Sequence, residues 1–153
     1  MAILNATPLV ATIPGSHQFN LWLHGPTVEV ELAVPVVPQV GGVSITASGP
    51  TIGGHALIDT GAFGTVIDDA TAKKLGLIAT GTSQSRGVFG DPQTVAEYAV
   101  AWKLASSSRY DTIAVTEAPL IANMNIIMII GRNILANCVL TYNGVMGTFT
   151  LAW

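Results

Sequence analysis

One aspartate stands at a position in this chain where a carboxylate could do chemistry. Residues 55–58 are mostly apolar and lead to Asp59, and Thr60, Gly61 and Ala62 follow as a small turn. Burial at the edge of a core disfavours an ionised carboxylate, so a neighbouring group must decide the protonation of Asp59. Gly61 lets the backbone turn tightly and leaves room for an approaching chain. The tripeptide Asp-Thr-Gly alone is weak evidence, because an ordinary β-turn after a strand also explains it.

A second motif lies nearer the C-terminus, where an apolar run is followed by Gly131, Arg132 and Asn133. The segments 57–62 and 65–67, together with this hydrophobic-hydrophobic-glycine motif, resemble the retropepsin-like aspartic protease family. Two motifs in the right order are more specific than one. The resemblance covers about residues 28–153, which we interpret as the protease domain, with residues 1–27 as an N-terminal arm of uncertain structure.

The resemblance implies an all-β fold, a closed retropepsin-like barrel with one or two short helices and one lobe per chain. Family members of this size carry one Asp-Thr-Gly per chain and act as symmetric dimers, and the tripeptide occurs once here. The implied function is an aspartic endopeptidase that is active as a homodimer on extended polypeptide segments. Asp59 of each subunit would be catalytic, with one proton shared between two like charges that do not both ionise readily. This mechanism uses no metal and no organic cofactor.

The family also implies roles for the neighbours of Asp59. Thr60 would brace the loops across the dimer, Gly61 and Ala62 would line the substrate channel, and the second motif would be structural. The remaining implied substrate-binding residues lie over or beside the cleft, in a flap hairpin or next to the catalytic loop: Gly87, Val88, Phe89, Gly90 and Ile130. Their apolar members favour hydrophobic side chains around the cut bond.

Two features depart from the retroviral members of the family. Phe63 stands where those enzymes often carry an acidic residue that pairs with the arginine of the second motif. Arg132 is therefore expected either to hold backbone carbonyls near the dimer interface or to be a solvated helix residue. The hairpin at residues 138–153 and the helix at residues 69–75 are more similar to cellular and bacterial relatives.

The elements that position these residues are predicted to be mostly strands, because apolar and polar residues alternate. In residues 28–34, the set Val28, Val30, Leu32 and Val34 is predicted to be buried, with Glu29, Glu31 and Ala33 facing away. Further strands are predicted at residues 42–46, 55–59, 98–104, 111–116, 126–130, 138–142 and 148–153.

Turn and helix signals complete this prediction. A short helix is expected at residues 69–75, with Asp68 or Asp69 as its N-cap and Gly76 after its end. Another turn or two is expected after Gly131, and Asn143-Gly144 predicts a hairpin between the last two strands. Residues 41–54 are interpreted as a loop or loose hairpin, and residues 1–27 as an irregular arm.

Composition excludes several classes of protein. Half of the residues are hydrophobic, 10% are charged and the net charge is −3, which argues against a nucleic-acid partner. No apolar window is long enough to span a membrane, and the first lysine is Lys73, so no secretory signal is expected and the predicted location is cytoplasmic. The single cysteine and the three scattered histidines predict no metal site.

Two alternatives to the endopeptidase remain open at this point. The chain could keep the retropepsin fold but serve only as a catalytically silent module that binds peptides or dimerises, because fold does not guarantee chemistry. It could instead be an unrelated β-sandwich with an accidental Asp-Thr-Gly. The N-terminal arm raises a further hypothesis, in which it lies in the cleft or crosses to the other subunit.

Overall fold

The computed structural model describes residues 3–6, 17–36, 46–85 and 90–153. Its strands are β1 (Ile3–Ala6), β2 (Thr27–Val36), β3 (Thr46–Ile58), β4 (Val66–Asp68), β5 (Ala79–Ser85), β6 (Gln93–Leu104), β7 (Asp111–Ala118), β8 (Met128–Ile130), β9 (Val139–Asn143) and β10 (Thr148–Ala152). Its helices are α1 (His17–His24), α2 (Asp69–Leu75), α3 (Leu120–Met124) and α4 (Arg132–Leu135). Among these described helices, none has both the length and the apolar character needed to cross a membrane.

Six strands close into a ring. The hydrogen-bonded order is β2-β3-β8-β4-β7-β6, and β6 pairs back with β2, while β5 extends outward from β6. The pairs β3–β8 and β4–β7 are parallel, and the other pairs in the ring are antiparallel. Closure leaves the ring without a free edge, which removes the exposed backbone groups that an open sheet presents. The predicted all-β, closed fold is confirmed.

The core fills the inside of this ring. Strand alternation places one set of side chains inward, and its members are almost fully buried: Val28, Val30, Leu32, Ala56, Ile58, Ile67, Val100, Val115, Met128 and Ile130. Ala33 was predicted to face away but is 0% exposed. The pairing of β2 with β3 shifts register between Leu32 and Val34, and Ala33 pairs with Ala101 of β6 at that point. The irregularity turns a nominally outer position into a buried one.

The prediction of a loop or loose hairpin over residues 41–54 is wrong for its second half. Residues 46–54 belong to β3, whose pairing with β2 runs from Val36↔Thr46 to Thr27↔Leu57. Glycine and serine weaken a strand only modestly, and a long antiparallel partner supplies the hydrogen bonds that the composition does not predict. The strand predicted at residues 42–46 lies outside the described residues except for Thr46.

A second sheet of three strands joins the two ends of the chain. Its order is β1-β10-β9, with Ile3↔Ala152 and Phe149↔Tyr142 among its pairs. The predicted hairpin is confirmed, although its turn is longer than Asn143-Gly144 alone, and Gly147 adopts φ +65°. The arm predicted as irregular contributes β1 and also α1, whose Leu21 is 1% exposed in the core. Helix α1 was not predicted.

Helix α2 occupies the predicted residues, and Asp68 is its N-cap. Asp68 is 1% exposed. Its carboxylate accepts hydrogen bonds from the Thr71 N–H (2.9 Å), the Thr71 hydroxyl (3.1 Å) and the Ile121 N–H (2.9 Å). Burial raises the pKa of Asp68, but these hydrogen bonds together outweigh it and hold the pKa below the ordinary value of 3.8. One carboxylate therefore caps α2 and anchors the start of α3.

We predict that Asp68→Ala lowers the free energy of unfolding by about 3 kcal/mol, because it removes an N-cap and leaves buried N–H groups unpaired. Urea unfolding followed by circular dichroism measures the loss. Asp69→Ala is the matched control, since Asp69 makes only a partly exposed ion pair with Lys73 at 3.6 Å and should cost less than about 0.5 kcal/mol.

The pH dependence gives a second readout for the same carboxylate. Because the folded-state pKa is lowered, this stabilisation is present above pH 3.8 and is lost as the pH falls through the folded-state value. Asp68→Asn should therefore flatten the fall in stability on the acid side. Equal losses in the variants at positions 68 and 69, or an unchanged acid dependence in Asp68→Asn, would contradict this role.

Candidate active site

The parallel pair β3–β8 brings the two sequence motifs together. Leu57 pairs with Ile129 and Ile58 with Ile130, so both strands end at the same level. The Asp59 N–H donates to the Ile130 carbonyl at 3.0 Å. The carboxylate of the first motif therefore emerges where the second motif begins.

The turn after β3 orients the Asp59 side chain. The Gly61 N–H donates to Asp59 Oδ1 at 2.7 Å, and the Ala62 N–H donates to the Asp59 carbonyl at 3.3 Å. Asp59 is half-buried, while Thr60 and Gly61 are exposed. A backbone donor on one carboxylate oxygen fixes the plane of the group. Within the described residues, Oδ2 accepts no hydrogen bond, so it is available to a bound molecule.

Backbone contacts hold the second motif against the loop that follows Asp59. The Arg132 N–H donates to the Ala62 carbonyl at 2.9 Å. A Cβ atom on Gly131 would overlap the carbonyl of Gly64 and would lie 2.9 Å from the Thr65 N atom. Only a residue without a side chain fits so closely against another backbone, which explains the glycine of this motif.

Thr65 is a site residue that the sequence analysis did not single out. Its hydroxyl donates to Asn133 Oδ1 at 2.7 Å and accepts from the Gly131 N–H at 3.2 Å. Thr65 is 1% exposed, and the bond from the Gly131 N–H is buried, while the bond to the exposed Asn133 is partly buried. The available signal was its place in the 65–67 segment that supports the family resemblance. This hydrogen bond joins Asn133 of the second motif to the segment that follows Asp59.

Arg132 has a contact that neither sequence-based expectation described. Its guanidinium lies over the Phe63 ring, 5.8 Å from the centroid, on a ring that is 86% exposed. A cation over an aromatic face at an exposed site contributes about 0.5–1 kcal/mol. Phe63 therefore replaces the usual acidic partner with a ring contact, while the Arg132 backbone secures the loop.

The predicted substrate-binding residues divide into two groups. Gly87, Val88 and Phe89 lie outside the described residues, so the flap stays a prediction. Gly90 is exposed, and Ser85 pairs with Gln93 at the end of the β5–β6 pairing. Ile130 is 0% exposed and belongs to the core, so its side chain does not line an open cleft. Its contribution to the site is the carbonyl bonded to Asp59.

The part of the chain that the structure describes contains no cluster of metal-binding side chains. No three or more histidine, cysteine, aspartate or glutamate side chains lie close enough there to hold a metal ion.

Comparison with known proteins identifies a family. The profile described as aspartyl protease matches residues 43–134, a range that contains both motifs. No curated protein matches the chain in sequence. The family match removes the alternative of an unrelated β-sandwich with an accidental Asp-Thr-Gly.

Solved structures similar to this chain include three proteins of cellular and viral origin. A retropepsin-like aspartic protease from Rickettsia conorii is 14% identical, and the match covers 82% of this chain and 88% of that one, with a TM-score of 0.44. The retroviral protease-like domain of Ddi1 from Leishmania major is 16% identical, covering 76% and 81%, with a TM-score of 0.38. The foamy viral protease-reverse transcriptase is 23% identical over 55% of this chain, with a TM-score of 0.43, and this chain spans 10% of its length.

We predict that Gly131→Ala lowers the free energy of unfolding by about 3 kcal/mol or more, because the new methyl group meets rigid backbone. Gly64→Ala is the matched control on the other side of the same contact. A Cβ there meets nothing within 4 Å, so the change should stay within about 1 kcal/mol. Thermal unfolding of both variants tests the pair, and similar stabilities would show that the close approach is not required.

Proposed function

Since the chain belongs to the aspartyl protease family, we propose that it is an endopeptidase that works as a homodimer with one Asp59 from each subunit. The observation that carries the proposal is the hydrogen bonding of the Asp59 carboxylate. Asp59 is held on one oxygen by the Gly61 N–H and leaves the other oxygen without a partner among the described residues. A buried structural aspartate such as Asp68 is saturated with donors, whereas Asp59 is not.

The need for a second chain follows from the chemistry of the site. Hydrolysis of a peptide bond by carboxylates alone requires one ionised group to activate water and one protonated group to assist the carbonyl. In the segments 59–65 and 130–133, which form the site, Asp59 is the only acidic residue. A two-fold axis beside Asp59 supplies the missing group, because a symmetric dimer presents the same surface twice.

The reaction proceeds through one shared proton. The ionised Asp59 takes a proton from a water molecule, whose oxygen attacks the peptide carbonyl carbon. The protonated Asp59 of the partner subunit donates to the carbonyl oxygen as negative charge develops there. The tetrahedral intermediate then collapses with cleavage of its C–N bond: the first Asp59 delivers its proton to the leaving nitrogen, and the ionised carboxylate of the partner subunit takes back the proton from the hydroxyl, which restores the single shared proton. Two adjacent carboxylates hold a single proton because like charges at short range do not both ionise, as the aspartic protease class illustrates.

The neighbours of Asp59 support this chemistry in the proposal. The exposed hydroxyl of Thr60 braces the two loops across the axis, and Gly61 and Ala62 line the floor of the channel. The hairpin connection with Gly87, Val88, Phe89 and Gly90 covers the substrate, and its closure excludes water. An extended peptide between floor and cover gains backbone hydrogen bonds in the manner of an added strand.

We predict that Asp59→Asn lowers kcat/KM for peptide cleavage at least about a hundredfold, since it removes the group that accepts the proton of water. The measurement is cleavage of a mixed peptide library from about pH 3 to about pH 7, the range in which carboxyl groups titrate. Asp69→Asn, on the exposed start of α2, is the matched control and should retain activity.

The outcomes of this assay separate the remaining alternatives. Cleavage retained in Asp59→Asn would contradict the assignment of the catalytic group. A confirmed dimer that cleaves no peptide at any pH would favour the silent peptide-binding module instead. Circular dichroism and solution mass, measured on both variants, show that any loss of activity is not a loss of fold.

A further inference from the structure

A cavity of about 730 Å³ lies along the strand that carries Asp59. His55 and Leu57 line it, and alternation along β3 puts these two residues on the same face as Asp59. Ala56 and Ile58 point the other way, into the core, where they are 0% and 4% exposed. At about 3.3 Å per residue, Leu57 stands roughly 7 Å along the strand from Asp59. The cavity therefore lies on the same face of the chain as the candidate catalytic carboxylate, although Asp59 is not among its lining residues.

The lining of this cavity combines apolar side chains with polar ones, among them His24, Asn123 and Asn125. Ile121, Met124 and Ile126 form one side, and no lysine, arginine, aspartate or glutamate is among its described lining residues. A charged side chain entering the cavity would lose water without gaining a partner, which is costly. The volume is sufficient for an aromatic side chain together with part of the neighbouring peptide. The cavity thus favours a large, uncharged side chain.

Two buried polar atoms behind these walls lack partners. Thr27 is 5% exposed, lies opposite Leu57 in the β2–β3 register and lines the cavity. Among the described residues, neither Thr27 Oγ1 nor His55 Nδ1 has a hydrogen-bond partner. Leaving such an atom unpaired is costly, and native structures contain few of them. Two such polar atoms at one cavity indicate a bound group that makes hydrogen bonds with both.

We propose that this cavity is a specificity pocket that selects tyrosine in the substrate, a proposal that rests on the peptidase function above. The phenol hydroxyl both donates and accepts, so it pairs with Thr27 Oγ1 and His55 Nδ1 whichever imidazole nitrogen carries the hydrogen. The ring packs on the isoleucines and on the thioether of Met124, a favourable aromatic contact. Both polar atoms are buried, so the hydroxyl reaches them after rotation of the threonine or imidazole between ordinary rotamers.

A pair of peptides that differ only in tyrosine against phenylalanine tests the pocket. Wild type should favour the tyrosine peptide by about tenfold in kcat/KM, because a site built to hydrogen-bond a hydroxyl rejects the analogue that lacks it. Thr27→Val and His55→Leu should each reduce this ratio severalfold, and His55→Asn, whose amide lies near the Nδ1 position, should restore part of it. Thr112→Val, on exposed β7, is the control and should leave the ratio unchanged.

Thermal stability distinguishes a lost contact from a damaged fold. Thr27→Val removes a buried, unpaired hydroxyl, so its melting temperature should equal or exceed that of wild type while its tyrosine preference falls. A lower melting temperature together with an unchanged ratio would overturn the role of Thr27. Equal kcat/KM for the two peptides in wild type would overturn the pocket itself.

Binding to the Asp59→Asn protein separates this proposal from the peptidase proposal. Isothermal titration of the same two peptides should show tighter binding of the tyrosine peptide by about tenfold. Tyrosine preference in binding, without cleavage by wild type, would support the pocket and contradict the endopeptidase. Cleavage of the two peptides at equal rates would support the endopeptidase and contradict the pocket.

Discussion

The contact between the backbone of Gly131 and that of Gly64 and Thr65 is the constraint on which the candidate site depends. It holds the end of β8 against the loop that follows Asp59, and the Thr65 hydroxyl locks it by bonding the Gly131 N–H and the Asn133 side chain. The position of the carboxylate follows from this contact, since the Asp59 N–H is bound to the Ile130 carbonyl one residue earlier. A side chain on Gly131 would separate the two loops and release the carboxylate.

The same residue type has two different roles within ten residues of chain. Asp68 and Asp59 both follow strands, but Asp68 accepts three hydrogen bonds in a buried position and serves as a double cap. Asp59 accepts one, from the turn directly after it, and remains half-buried. The number of donors around a carboxylate, more than its burial, thus distinguishes a structural aspartate from one that is available for chemistry.

Local signals in the sequence predicted the elements that local forces determine. Helix α2 was predicted to the residue, because Asp68 and Gly76 are strong capping signals at its two ends. The motif around Asp59 identified the site, and the order of the two motifs identified the family. The pairing of strands that are distant in sequence was harder to predict. Nothing in residues 28–34 shows that Ala33 pairs with β6, and the glycine-rich start of β3 is a strand only because β2 lies beside it.

The side-chain environment of the site was the least predictable part. Ile130 was expected beside a substrate and is in the core, because only the register of β8 decides which face of that strand is inward. The role of Thr65 depends on Asn133, which is distant in sequence and adjacent in space. Among the described residues, Thr27 Oγ1 and His55 Nδ1 have no hydrogen-bond partner because of how the chain packs. A sequence pattern does not predict this.

The low charge of the chain fits this arrangement. A closed ring with a buried core, the buried polar residues Thr65 and Asp68, and a pocket whose described lining has no lysine, arginine, aspartate or glutamate leave few positions for charged residues. In a homodimer, the surface beside Asp59 becomes an interior, where charged residues are also depleted.

The central claim is that one site is built from two Asp59 residues, and mixing tests it most directly. Wild-type protein is refolded with increasing amounts of Asp59→Asn protein, and cleavage is measured at a constant wild-type concentration. If each site needs both carboxylates, activity falls in proportion to the fraction of wild-type protein, because only wild-type pairs are active. Activity that stays constant as the variant is added would contradict the claim, since it would mean that a single chain holds a complete site.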